Sequence, residues 1–301
     1  MSGPRHFITG TELKREELLG LISRAGELKR ARTSSEALRG RSVAVLLGKP
    51  STRTRVSFEV GIAELGGTPV LLRGDELQLT RGESARDTAL VLSRYVDALV
   101  TRLADHDTIE ELARYADVPV INALTPLHHP CQALADLFTL AERFGSLDGR
   151  RLAYVGDGNN VCHSLMLLGS VAGVEVAVAC PPELEPHPEI VREAGPGVSV
   201  GHDPVAAATG AHALYTDVWV SMGDEHEADE RRRLLAPFRL DERLLAAARD
   251  DVIVLHCLPA HPGEEITETL LYGERSAVWD EAENRLHAQK ALLELLVGGA
   301  D

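Results

Sequence analysis

This chain predicts an α/β protein of two lobes, each a mostly parallel sheet flanked by helices, and three observations lead there. Its 301 residues suffice for two compact domains, and 44% hydrophobic with 26% charged residues is the balance of a soluble protein with a real core. Short β-branched runs alternate with helical patterns from end to end, the order that builds βαβ units. The runs are apolar at successive positions, as in parallel strands buried on both faces.

Along the chain, the first four strands are expected at 42–48 (SVAVLLG), 68–72 (TPVLL), 97–102 (DALVTR) and 118–123 (VPVINA). A second series is expected at 151–157 (RLAYVGD), 174–180 (VEVAVAC), 212–219 (HALYTDVW) and 251–259 (DVIVLHCLP), giving each sheet four strands. Helices fit the intervals. After Ser51, the residues Phe58, Ile62 and Leu65 recur at i, i+4 and i+7, and Gly66-Gly67 ends the segment. TPLHHP breaks the chain before CQALADLFTLAERFG (131–145), a helix able to bridge two lobes. EAENRLHAQKALLELLV (281–297) has Leu286, Gln289-Lys290 and Leu293 on helical spacing. The boundary is expected near 124–150, with residues 1–130 as one domain and 131–280 as the other. The C-terminal helix, from about 281 to 301, is expected to pack back on the first. SMGDEHEADERRRLLAPF (221–238) reads as a polar, mobile loop leading into a helix.

A net charge of −15 argues against nucleic acid or an anionic membrane as the main partner. No apolar run approaches the roughly 18 residues of a membrane span, and the start MSGPRHFITG lacks a signal-peptide core, so a cytoplasmic protein is expected. Cys131, Cys162, Cys180 and Cys257 show no zinc or CxxC spacing and read as thiols; no metal or cofactor is expected.

Against that acidity, GKPSTRTRVSFE (48–59) gathers Lys49, Arg53 and Arg55 around Ser51, Thr52 and Thr54 at the start of a helix. Backbone N–H groups, hydroxyls and an Arg fork together suit a phosphate; the alternative is a Ser N-cap with a solvated basic turn. The GxxxxGK[ST] spacing of a P-loop is absent. Three further clusters fall at strand ends, where open α/β sheets bind ligands. Arg102 ends VTR, aimed into a cleft or at the surface. His129 and Gln132 in HHPCQ face one ligand, or the histidine caps the helix. Cys257 in HCLPA contacts a reacting group, or is a small buried hydrophobe. GDGNN (156–160) is like a nucleotide turn without being GxGxxG.

In this order, STRTR (51–55), HPCQALAD (129–136), GDGNN (156–160), DVWVSMG (217–223), HCLPA (256–260) and AENR (282–285) resemble the transcarbamylases over nearly the whole chain. The SMG loop together with HCLP resembles the members that act on ornithine. The resemblance implies a transcarbamylase-like fold and transfer of the carbamoyl group of carbamoyl phosphate to the side-chain amine of L-ornithine. The products would be L-citrulline and phosphate, an arginine-biosynthetic or urea-cycle-type step. A different amine acceptor such as putrescine, or a binding protein that has lost turnover, are the alternatives.

Carried over residue by residue, the resemblance implies that Ser51, Thr52, Arg53 and Thr54 hold the phosphate and Arg102 spans phosphate and carbonyl. His129 would donate to the carbonyl oxygen and Gln132 hold the carbamoyl amide, with Cys257, Leu258 and Arg285 lining it. Gln78 would reach the phosphate of a neighbouring subunit, which makes a homotrimer the smallest expected assembly. Asn160 and the Met222 backbone would take the ornithine α-carboxylate, and Asp217 and Ser221 the α-amine. Arg102, His129 and Cys257 would be the catalytic residues, Cys257 as a proton acceptor or a positioning group. The chain departs from many relatives at Leu47-Gly48 and at Pro262, where an aromatic, a carboxylate and a basic residue are common.

Overall fold

The computed structural model describes residues 3–32, 34–220 and 228–298. The chain divides into two compact units, Met1–Phe138 with Asn284–Asp301 and Thr139–Glu283.

In the first unit four parallel strands, β1 (Ser42–Leu47), β2 (Thr68–Arg73), β3 (Ala98–Arg102) and β4 (Val120–Leu124), lie in the order β2-β1-β3-β4. β1 pairs on both sides, which is why SVAVLL is apolar without alternation and buried from Val43 onward. β2 lies at the edge, the one place a sheet accepts a residue such as Pro69 that donates no ladder bond. Helices α1 (Arg15–Arg30), α2 (Thr52–Glu64), α3 (Ala85–Leu92) and α4 (His106–Tyr115) start where a side chain or Glu can accept orphan N–H groups. Ser51, Ser84 and Asp105 cap the last three by accepting from Thr54, Asp87 and Thr108 N–H. Ala44, Leu46, Leu99 and Val120 from the sheet pack against Ala89, Ile109 and Leu112 to form a core.

The second unit contains β5 (Arg151–Val155), β6 (Glu175–Ala179), β7 (Val198–Gly201), β8 (Ala213–Thr216) and β9 (Ile253–His256), all parallel, in the order β7-β6-β5-β8-β9. This sheet has five strands, one more than the sequence suggests. β7 is only four residues long, sits on the edge, exposes Ser199, and follows Gly195-Pro196-Gly197, so it offers no apolar run. The predicted strands at 212–219 and 251–259 are shorter than expected, because their last residues leave the ladder to form loops. The core packs Ala153, Val155, Leu214 and Val254 against Leu240, Leu244 and Leu270.

The helices completing the chain are α5 (Pro130–Phe144), α6 (Asn160–Ala172), α7 (Pro188–Ala194), α8 (Pro204–Ala208), α9 (Ala228–Leu235), α10 (Glu242–Ala247), α11 (Glu268–Tyr272) and α12 (Val278–Leu293). The division between the units falls inside α5 and inside α12. Among the described residues no helix is long and apolar enough to cross a membrane.

Strand order locates the ligand crevice of each sheet. In the first unit the chain leaves β1 toward β2 and then returns to the other side as β3; in the second it leaves β5 toward β6 and returns as β8. Connections after such neighbouring strands depart to opposite faces and open a crevice outside their carboxyl ends. The residues after β1 and at the end of β3, and those after β5 and β8, are therefore where chemistry is to be sought.

Candidate active site

The crevice of the first unit is lined by the STRTR turn and Arg102. The Gly48 amide donates to the Arg102 carbonyl at 2.9 Å, joining the loop after β1 to the end of β3. A Cβ at position 48 would stand 3.3 Å from that carbonyl and 3.2 Å from the Leu103 side chain, so glycine suits the approach. Ser51 caps α2 and its hydroxyl donates to Thr54 Oγ1 at 3.0 Å. Thr54 is wholly buried, and the same oxygen receives Arg102 Nη1 at 3.2 Å and Arg285 Nη2, from α12, at 3.1 Å. Three donors on one hydroxyl oxygen are one more than its two lone pairs accept. A multivalent oxyanion at that point would take all three.

Thr52 and Arg53 lie exposed in the first turn of α2, beside the cluster. Arg55 is directed elsewhere, to Glu59 at 3.1 Å on the exposed face of the same helix. Of the three cations in this stretch, then, Arg55 belongs to a solvated i, i+4 pair.

His129 precedes α5, and its carbonyl accepts the N–H groups of Gln132 and Ala133. Its imidazole is buried and held well below its ordinary pKa, first by loss of solvation and then by Arg285, Arg102 and Arg53. It is therefore neutral, a polar donor rather than an ammonium-like acid. Gln132 is buried one turn into α5 and gives its NH2 to Asp136 Oδ1 at 2.8 Å. That bond engages one of the two N–H donors of the amide and fixes its orientation along the helix face. Gln78 opens a one-turn 3-10 helix (Gln78–Arg81), is exposed, and makes no hydrogen bond to this cluster.

The crevice of the second unit holds Asp217, two residues beyond Tyr215 of β8. Its Oδ1 accepts the Cys257 thiol at 2.8 Å and the Val218 N–H at 2.8 Å, and its Oδ2 accepts Asn159 Nδ2 at 2.7 Å. Asn159 is the N-cap of α6: its Oδ1 accepts the N–H groups of Val161 and Cys162 and the Tyr154 hydroxyl. One amide thus fixes the helix start and grips the carboxylate. Asn160, predicted as a ligand, is the first residue of α6, half-buried beside it. Nothing in the spacing of two adjacent asparagines distinguishes cap from neighbour; the capping geometry does. Ser221 and Met222 lie outside the described residues.

GDGNN owes its second glycine to packing. Gly158 donates to the Leu184 carbonyl at 2.9 Å, and a Cβ there would sit 2.3 Å from Pro186 N. The chain's own backbone covers the turn where a dinucleotide would approach.

The HCLP segment is tied down from two sides. The His256 N–H donates to buried Glu281 Oε2 at 2.8 Å, while His256 Nδ1 accepts the Leu258 N–H at 2.9 Å and Nε2 faces Glu265 Oε1 at 3.2 Å. Leu258 has φ of 60°, a left-handed conformation that costs a non-glycine residue about 1–3 kcal/mol and tends to occur at functional sites. The Asp217, His256 and Cys257 ligand atoms lie within 4.8 Å of one another. A metal there would have to displace Leu258 or Glu265 from the imidazole. Cys131, Cys162 and Cys180 are buried thiols; burial pushes Cys131 and Cys180 up to about 12 and Cys162 well above its ordinary value.

Guanidinium and hydroxyl donors gathered in one α/β unit, and a carboxylate–thiol–amide set in the other, are the equipment of a group transferase. Residues 5–142 match the aspartate/ornithine carbamoyltransferase carbamoyl-P binding domain, and residues 148–296 match the Asp/Orn binding domain of the same family. The chain belongs to the aspartate/ornithine carbamoyltransferase family. It is 56% identical to the ornithine carbamoyltransferase of Acidothermus cellulolyticus over 98% of its length and 97% of that protein's, and 53% identical to that of Methanoculleus marisnigri over the same shares. The solved ornithine carbamoyltransferase of Pyrococcus furiosus superposes with a TM-score of 0.94 at 46% identity, covering 99% of both chains.

Proposed function

We propose that the protein transfers the carbamoyl group of carbamoyl phosphate to the side-chain amine of L-ornithine, giving L-citrulline and phosphate in the arginine-biosynthetic direction. The observation that carries the reading is the convergence of Ser51, Arg102 and Arg285 on Thr54, next to a histidine kept neutral.

In this reading the first unit (Met1–Phe138 with the C-terminal segment) binds carbamoyl phosphate. Ser51, Thr52, Arg53, Thr54, Arg102 and Arg285 take the phosphate oxygens. Arg102 and His129 donate to the carbonyl oxygen, and Gln132 accepts from the carbamoyl NH2. The second unit binds ornithine through Asn160, Asp217, Ser221 and Met222, with Cys257 and Leu258 beside the reacting group. The amine, whose ordinary pKa is near that of lysine at about 10.4, loses a proton before attack. Dry surroundings and neighbouring guanidinium groups favour that loss. The new C–N bond forms as the carbonyl becomes an oxyanion, held by Arg102 and His129. As the oxyanion collapses, the bond from the carbonyl carbon to the bridging oxygen breaks, the phosphate leaves with that oxygen into the arginines and hydroxyls that bound it, and the nitrogen's second proton passes to the departing phosphate. Stabilising an oxyanion with a fixed donor is worth about 3 kcal/mol per donor.

The Cys257 thiol donates to Asp217, which supports a positioning role, since a proton acceptor would first have to shed that proton. We also propose a cytoplasmic homotrimer in which Gln78 of one subunit completes its neighbour's phosphate site. Exposure of Gln78, together with exposed Val56, Val70, Val91 and Tyr95 in the same unit, supports it.

A colorimetric assay for ureido product with ornithine, N-acetylornithine, lysine, putrescine and aspartate as acceptors tests the reading. Product with ornithine alone is expected. Product with another acceptor would replace it, and none with any would leave a binding protein.

A further inference from the structure

We propose that Arg231 is a positioning residue for the amino-acid acceptor, a strap across the two lips of the crevice in the second unit. The inference rests on the assignment of Asp217 and Asn160 to that acceptor. One lip is the turn after β5, which carries Asn159 and Asn160; the other is the segment after β8, which carries Asp217. They come from strands that are neighbours in the sheet but distant in sequence, and beyond the last ladder pair, Tyr154 with Tyr215, a side-chain bond from Thr216 Oγ1 to the Val155 carbonyl at 2.7 Å replaces the backbone ladder. Side chains therefore set the width of the opening.

Two links span it. Asn159 reaches Asp217 across the inside. Arg231, from the first turn of α9, belongs to neither lip and grips both: Nη2 pairs with Asp157 Oδ2, and Nε donates to the Trp219 carbonyl at 2.9 Å. Asp157 is the acid of GDGNN, and its own carbonyl accepts the Asn159 N–H at 2.7 Å. The residue that Arg231 holds by its side chain is thus the one whose backbone carbonyl shapes the asparagine turn, while Trp219 lies two residues past Asp217. The side chains of Arg231 and Asp157 are only 13% and 16% exposed, so the pair escapes the solvent screening that makes surface ion pairs nearly worthless. A planar fork can serve a carboxylate and a carbonyl at once; a lysine ammonium on a flexible stem holds one of them. In the assignment above Arg231 touches no reacting atom and acts through Asp157 and the Trp219 carbonyl.

The test is steady-state kinetics with each substrate varied in turn, together with the melting temperature, for Arg231→Gln, Arg231→Lys, Asp157→Asn, the Arg231→Gln/Asp157→Asn double variant and Asp217→Ala. Arg231→Gln is expected to raise the ornithine KM at least tenfold, equivalent to about 1.4 kcal/mol, and to leave the carbamoyl phosphate KM within twofold. Arg231→Lys is expected to fall between, and the double variant to be no worse than the poorer single one, since both break the same link. A lowered melting temperature with an unchanged ornithine KM in Arg231→Gln or Arg231→Lys would make the residue merely structural and overturn the proposal; should Arg231→Gln not fold, Arg231→Lys and Asp157→Asn decide. If Asp217→Ala raises the ornithine KM and the Arg231 variants do not, the strap alone fails. If Asp217→Ala leaves that KM unmoved, the acceptor assignment fails and the strap falls with it.

Discussion

Arg102 and Arg285 meet at one hydroxyl, donating to Thr54 Oγ1 from 3.2 and 3.1 Å. Two guanidinium groups on a buried neutral oxygen repel each other, and an anion placed among them turns that repulsion into attraction. The geometry also explains why a chain of net charge −15 collects cations at a helix mouth: an anionic substrate repelled by the global field is held by a local one.

Anion binding should therefore stabilise the fold. At 100 times its Kd, inorganic phosphate is expected to add about 2.7 kcal/mol, read as a higher melting temperature. Arg285→Gln should lose most of that rise at the same phosphate concentration. An undiminished rise in the variant would place the anion elsewhere.

Arg102→Ala should cost about 3 kcal/mol in the transition state, a fall in kcat of roughly 10²–10³-fold, since it removes a donor to the oxyanion. The ornithine KM should change far less. Stopped-assay kinetics with both substrates varied would settle it, and equal losses in kcat and in ornithine affinity would remove Arg102 from the oxyanion.

His129 makes stability depend on pH. Its folded pKa lies well below the unfolded value of about 6.5, through burial and then through Arg285, Arg102 and Arg53. Above pH 6.5 both states are neutral and the full stability is present. As the pH falls below 6.5 the unfolded chain takes up the proton first, and stability is lost until the folded pKa is reached. His6 and His212 are shifted the same way, so the comparison must be differential. Urea melts from pH 7.5 to 5 should show a shallower decline for His129→Asn than for the parent; parallel curves would mean that the imidazole takes up its proton as readily in the folded chain as in the unfolded one.

Legibility followed the physics of each element. β1, β3, β5 and β6 are buried on both faces, so their β-branched runs were plain, whereas edge strand β7 has Ser199 exposed and four residues in all. Ser51 marked the start of α2 because capping is a local transaction between a side chain and the third N–H beyond it. The same locality put Ser51, Thr54 and Arg102 at strand ends in advance. Local pattern could not pair Asn159 with Asp217, Arg231 with Asp157 or His256 with Glu265. Those contacts join loops whose side-chain directions no periodicity dictates. Asp136, which orients Gln132, sat in plain view at i+4 on one helix and was readable as a helix-face pair.

Cys257 offers the sharpest chemical test. Its thiol donates to Asp217 Oδ1, and that carboxylate also accepts from Val218 N–H and Asn159 Nδ2. A group that donates is holding its proton. If the role of Cys257 is to orient Asp217, a serine hydroxyl supplies the same donor: Cys257→Ser should retain kcat within about tenfold, and Cys257→Ala should raise the ornithine KM by the worth of one hydrogen bond to a charged group, about 1.5–3 kcal/mol. If the sulfur instead accepts the ammonium proton, serine is a far poorer base. Cys257→Ser should then fall by the 10²–10⁴-fold typical of losing a general base, and the basic arm of its pH–rate profile should move. Profiles of kcat for the three proteins between pH 6 and 10 separate the two roles, and the thiol-to-carboxylate geometry favours the first.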